Sequence, residues 1–128
     1  MERITVDTVN DKKVITCDFS DLNEAQGFIK TMNEVSIFIN QELDGTVLLL
    51  TDMNGCRFDT KIKDALTKFA EANRFKVKLS AVVNASNVGA AIVIAAAKVA
   101  RRNNIKMFSD KESALRWLTD APEIYIDA

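Results

Sequence analysis

The chain predicts an α/β fold, a mixed five-stranded sheet in which an N-terminal β-hairpin is followed by parallel βαβαβα units. Three observations carry that expectation. Two runs near the N-terminus alternate apolar and polar residues, as strands with one wet face do. A later run of strand length, Val47-Leu48-Leu49-Leu50, is continuously apolar, the pattern of a strand covered on both faces. Amphipathic stretches of helical spacing separate the later strand-like runs, so successive strands need crossover connections and run parallel. At 128 residues the chain is expected to form one domain over residues 1–128, large enough to bury a core without disulfides or metal.

Ile4 to Val9 and Val14 to Phe19 alternate around the turn-like Asn10-Asp11-Lys12-Lys13, which gives the hairpin. Asp21 is expected to cap the first helix, with Glu24 at its third position, and Leu22, Ala25, Phe28, Ile29, Met32, Val35 and Ile39 recur at helical spacing to about Gln41. Gly45 ends the connection, and Val47-Leu48-Leu49-Leu50 follows as a strand buried on both faces. A loop from Asp52 to Arg57 leads to a second helix capped by Asp59. Its Ile62, Ala65, Leu66, Phe69 and Ala70 share one face, and Lys61, Lys63, Asp64, Lys68 and Glu71 the other. Val77 to Val83 is the next strand. Ser86 or Asn87 caps a third helix, from Val88 to about Arg102, and Ile105 to Phe108 is the last strand. It runs into Ser109-Asp110-Lys111-Glu112, read as a capping box in which Ser109 accepts from the Glu112 N–H and the Glu112 carboxylate returns to the Ser109 N–H. Ala114, Leu115 and Leu118 then share a helical face, with Trp117 at its edge. The one proline, Pro122, stands in a tail whose Glu123 to Asp127 alternates like a short edge strand.

Seventeen basic residues against 18 acidic ones give a net charge of -1, so no global field draws the chain to nucleic acid. Histidine is absent, which removes imidazole-based triads, His-ligated zinc and haem, and His-phosphotransfer from this chain. Cys17 and Cys56 form no CxxC pair and each lies beside a strand, as reduced intracellular thiols do. No cofactor or metal is expected. Met1-Glu2-Arg3-Ile4 passes into strand-like sequence with no apolar signal region, and no apolar run approaches the roughly 20 residues of a transmembrane helix. A cytoplasmic location is expected.

The order of elements, the closing residues Phe108, Ser109, Glu112, Ala114, Leu115, Trp117 and Leu118, and the apolar strand Lys78-Leu79-Ser80-Ala81-Val82-Val83 together resemble a STAS domain, the sulfate transporter and anti-sigma-factor antagonist module, in its SpoIIAA-like branch. The resemblance implies a non-enzymatic regulatory domain that works by protein–protein contact. In phosphoregulated STAS proteins the helix after the central strand opens with Asp-Ser-Ser-Gly, and the second serine accepts the phosphate. Here the run is Phe58-Asp59-Thr60-Lys61-Ile62. Asp59 matches and Thr60 replaces the first serine, but Lys61 stands at the acceptor position and no glycine follows, which argues against the usual kinase switch. Thr60 remains the candidate phosphate acceptor, since a helix N-terminus stabilises an anion; helix capping and surface exposure explain it at least as well.

Two surfaces stand out as candidates. Asp52, Asn54, Arg57, Asp59, Thr60 and Lys61 lie at or after the carboxyl end of the central strand, where open α/β sheets bind ligands and partners; Asn84, Ser86 and Asn87 join them from the next strand. Turns and caps want the same residue types, and no Gly-rich phosphate loop accompanies them. The third helix, Val88 to Ala97, is apolar nearly all round and must hide a second face. Val88, Ala91, Ile92 and Ala95 are candidates for contact with a second copy of the chain or with an apolar ligand. SpoIIAA-like domains resemble lipid-carrying CRAL-TRIO domains in topology, so the resemblance allows a hydrophobic ligand. Lys61, Lys63, Lys68, Arg74, Lys76 and Lys78 read as a solvated face, because acids dilute them and aromatic platforms are missing. Arg101 and Arg102 suit the negative end of a helix dipole. Cys56, near a helix start, invites a reactive-thiol reading, although no histidine or resolving cysteine supports it. The expectation is a cytoplasmic, non-enzymatic STAS-like regulatory domain that contacts a protein partner and forms a homodimer; the alternative is a carrier or sensor of a small hydrophobic, lipid-like molecule.

Overall fold

A computed structural model of the protein describes residues 2–120; the tail strand expected at 123–127 lies outside the described residues. The elements are β1 (Ile4–Val9), β2 (Lys12–Asp18), α1 (Ala25–Asn40), β3 (Val47–Asp52), α2 (Thr60–Ala72), β4 (Val77–Val83), α3 (Asn87–Val99), β5 (Ile105–Phe108) and α4 (Lys111–Asp120). They build the mixed five-stranded sheet in the order β1-β2-β3-β4-β5, antiparallel between β1 and β2 and parallel thereafter. Because each crossover steps the same way along the sheet with the usual right hand, α1, α2 and α3 share one face. Their Phe28, Met32, Val35, Ile39, Ile62, Leu66, Val93 and Ala96 form one core with Ile15, Cys17, Leu49 and Val82 of the strands. Alternate residues of the same strands, Val14, Leu48, Leu50, Leu79, Ala81 and Val83, face the other way and are covered by Ala114 and Leu118 of α4. The continuous apolar run of β3 and the mostly apolar β4 are thus explained: both faces of each strand are buried.

Local chemistry moves several boundaries. The hairpin turn is the two residues Asn10 and Asp11, both left-handed at φ 49° and 65°, as a twist-matched two-residue hairpin requires. Lys12 and Lys13 therefore belong to β2. Asp21 does not cap α1: at φ 61° it reverses the chain, and the helix opens three residues later, with Glu24 at the cap position making no side-chain cap bond. The capping box expected at the last helix is also replaced. Asp110 is the cap, its carboxylate accepting from the Ser113 N–H at 2.7 Å and the Ser113 hydroxyl at 3.0 Å, while the Ser109 hydroxyl turns to Asp110 at 3.5 Å. An aspartate one residue closer to the helix outcompetes the serine, and these bonds hold the Asp110 carboxyl below its ordinary pKa. Asp59 and Ser86 do cap α2 and α3, accepting from Ile62 N at 2.9 Å and Gly89 N at 3.1 Å.

The third helix ends at Val99, short of the expected end at about Arg102. Arg102 N donates to Ala97 O at 2.8 Å and Arg101 N to Lys98 O at 3.1 Å, with Arg101 left-handed at φ 56°. This is a Schellman close with arginine where glycine is usual. It turns the chain back so that Arg101 stays exposed at the end of α3 while Arg102 runs inward.

Candidate functional site

The carboxyl ends of β3 and β4 carry the first candidate surface. Asp52 ends β3 half-buried, and its Oδ1 accepts from Asn54 N at 3.0 Å and from Asn84 Nδ2 at 3.4 Å. The loop that follows is pinned on both sides: Met53 N donates to Val83 O at 3.0 Å, Phe19 N to Asp52 O at 2.8 Å, Asp21 N to Asn54 O at 2.8 Å and Arg57 N to Leu22 O at 3.1 Å. Gly55, left-handed at φ 71°, lies against Asp21 so closely that any Cβ would overlap its carboxylate. Asn54, Arg57, Asp59, Thr60 and Lys61 emerge from this frame exposed. Thr60 is the first residue of α2 and Lys61 the second. The carboxylates of Asp52 and Asp59 are engaged by loop and cap N–H groups rather than turned towards each other.

Cys56 belongs to the same frame as a packing thiol. Its Sγ donates to Phe19 O at 2.9 Å, and burial, with Asp52 and Asp21 adding, pushes it up to about 12 against the smaller lowering by the Leu22 backbone. A thiolate is therefore scarce at neutral pH. Cys17, in the core of β2, is pushed up further, by burial first.

The second candidate surface begins where the first ends. Gly89 packs under Phe58, whose Cε2 would sit 2.7 Å from a Cβ at residue 89, and Phe58 in turn meets Phe28 at 5.8 Å between ring centres. On α3, Val88 is 65 % exposed and Ala91 is exposed, whereas Ile92 and Ala95 are half-buried. Ile94 and Val99 extend the exposed apolar strip. The helix is therefore two-sided: Gly89, Val93 and Ala96 go to the core, and its outer side is open. No helix among the described residues is long and apolar enough to cross a membrane.

A polar cluster that sequence reasoning did not find lies under the α2–α3 seam. Arg102 Nη1 donates to Ala70 O at 3.2 Å and closely to Asn73 Oδ1, and its Nε to Asn104 Oδ1 at 3.1 Å. Asn104 is itself locked, its Nδ2 donating to Val77 O at 3.0 Å and Lys78 O at 3.1 Å. Burial first, and Arg74 second, pull the guanidinium down to about 10. The one hint in the sequence was Thr51 and Ser80, polar residues in otherwise apolar strands, which line the same place.

Superposed on solved structures, the chain matches an anti-sigma-factor antagonist (STAS) domain protein from Planctomyces limnophilus with a TM-score of 0.52, over 90% of this chain and 97% of that one, at 18% sequence identity. This is the STAS fold. No protein-family model matches the sequence, and no curated protein matches it. At that level of identity the STAS likeness rests on architecture: the hairpin, the parallel strands and the α4 that closes the second face.

Proposed function

We propose that the chain is a cytoplasmic, non-enzymatic STAS-type regulatory domain that acts by protein–protein contact. The partner surface in this reading is the loop and helix start formed by Asp52, Asn54, Arg57, Asp59, Thr60 and Lys61, and self-association uses Val88, Ala91, Ile92 and Ala95. The observations that carry it are the exposed loop after β3, pinned by backbone bonds to Phe19, Asp21, Leu22 and Val83, and the exposed apolar residues Val88, Ala91 and Ile94 on the outer side of α3. Its neighbour in fold is described as an anti-sigma-factor antagonist, which supports the same class of work. Lys61 at the second helical position favours a constitutive contact over one gated by phosphate, and Thr60 is the hydroxyl at which a kinase would act if one does.

Light scattering after gel filtration tests the self-association: the wild type is expected as a dimer and Ile94→Lys as a monomer. Affinity capture from the host tests the partner surface, with Lys61→Glu expected to lose a partner that the exposed control Lys30→Glu retains. Equal recovery by both variants removes the loop from the reading. A second reading, a carrier or sensor of a small hydrophobic molecule, is supported by a cavity of about 50 Å³ beneath α3, lined from that helix by Val93, Ala96 and Ala97 rather than by Val88, Ala91, Ile92 and Ala95.

A further inference from the structure

That cavity lies between α2, α3 and the sheet. Leu49 and Val82 form part of its floor, Leu66 and Val93 part of its roof, and Asn73 and Arg102 lie among its lining. Its volume of about 50 Å³ is several times the roughly 10–15 Å³ that one water needs. Asn73 is only 3% exposed, and its Nδ2 has no hydrogen-bond partner among the described residues; neither has the buried Nη2 of Arg102. The amide is oriented by its own Oδ1, which accepts from Arg102, so Nδ2 is left as a donor. Among the described residues no carboxylate pairs with Arg102, although unpaired buried donors and charges are costly and native folds rarely leave them so.

Two orphan donors, one cationic, beside a mostly apolar cavity that Thr51 and Ser80 also line point to what would satisfy them: an anionic acceptor with two oxygens and a short hydrocarbon body. We propose that the α2–α3 cavity is a binding site for a small monocarboxylate, whose carboxylate accepts from Arg102 Nη2 and Asn73 Nδ2 and whose tail lies among Leu49, Leu66, Val82 and Val93. The proposal rests on the ligand-binding reading above and narrows it to one chemistry. An inorganic anion would leave the apolar lining empty, and a neutral apolar molecule would leave both donors unpaired. The depressed pKa of Arg102 fits the same picture, since the anion restores the counter-charge that the fold omits.

Butyrate and its neutral isostere butyramide are the probes, measured by isothermal titration and by the side-chain amide and guanidinium signals in NMR spectra of the full chain. Saturable butyrate binding that perturbs Asn73 and Arg102, at least about tenfold tighter than butyramide as charge-assisted bonds require, is the expected result. Arg102→Met should lose that preference. Asn73→Asp supplies an internal carboxylate to Arg102, so it should raise the melting temperature and abolish butyrate binding, which keeps the test decisive even if Arg102→Met does not fold. Equal binding of butyrate and butyramide would overturn the carboxylate assignment while leaving an apolar-ligand site standing. Absence of butyrate binding to the folded wild type, or ordered waters satisfying both nitrogens in a crystal grown with butyrate, would overturn the proposal itself.

Discussion

Replacing Gly55 by alanine measures how firmly the candidate partner loop is held against residues 19–22. Gly55 has φ 71°, a region that costs an L side chain about 1–2 kcal/mol. Alanine's reduced freedom in the unfolded chain returns about 0.4–1 kcal/mol, so roughly 1 kcal/mol of backbone penalty survives. The new methyl also overlaps the Asp21 carboxylate. Asp21 is exposed and its side chain can swing, which limits this part to an off-rotamer cost of about 0.5–1 kcal/mol. The expected loss is about 1.5 kcal/mol. Asp21→Gly removes the obstructing carboxylate and relieves a second left-handed residue, φ 61°; alone it should be neutral or mildly stabilising. In the double variant the steric part vanishes, and the cycle should show a coupling of about 0.5–1 kcal/mol. Urea unfolding followed by Trp117 fluorescence and by circular dichroism gives both numbers, read from midpoints at constant slope. Gly55→Ala within about 0.3 kcal/mol of wild type, or an additive cycle, would refute the account of the loop.

Other perturbations read other parts of the molecule. Arg101→Gly places glycine at the left-handed residue of the α3 close and should stabilise by about 0.5–1 kcal/mol in the same urea assay. Leu118→Ala empties a fully buried site of α4 and should cost about 2.7–5 kcal/mol. Because the folded pKa of Asp110 is depressed by its bonds to Ser113, its contribution is complete above the ordinary aspartate pKa and fades as pH falls through the folded value; the stability gap between wild type and Asp110→Asn should close on acidification. With both thiols raised in pKa, the native protein should react slowly with a thiol-exchange reagent at pH 8, and both cysteines should titrate promptly after denaturation.

The layer architecture was legible because period and run length carry it: alternation for β1 and β2, the unbroken apolar run Val47 to Leu50 in β3, a mostly apolar β4, and one apolar stripe for α2. Element ends were less so. Asp21 and Ser109 are chemically good caps, and what displaced them is tertiary: the Asp21 backbone is turned left-handed to donate to Asn54 O, and Asp110 lies nearer its helix. For the candidate surfaces, the polar loop after β3 could be read from composition, whereas its pinning by Phe19, Leu22 and Val83 depends on partners distant in the chain. Arg102 was opaque for a similar reason. Only the left-handed Arg101 decides that one arginine of the pair enters the interior, and nothing in the residue string marks that turn.

Strand order along the sheet equals strand order along the chain. No strand has to wedge between two earlier neighbours, so during synthesis each can dock on the edge its predecessor has just laid down, a vectorial assembly with little long-range search. The exception is α4, which follows all five strands in the chain yet supplies the buried residues Ala114 and Leu118 that cover Leu48, Leu50 and Leu79. A nascent chain stalled before Lys111 would therefore present a greasy, half-shielded sheet to chaperones, and the docking of α4 is the step that covers it.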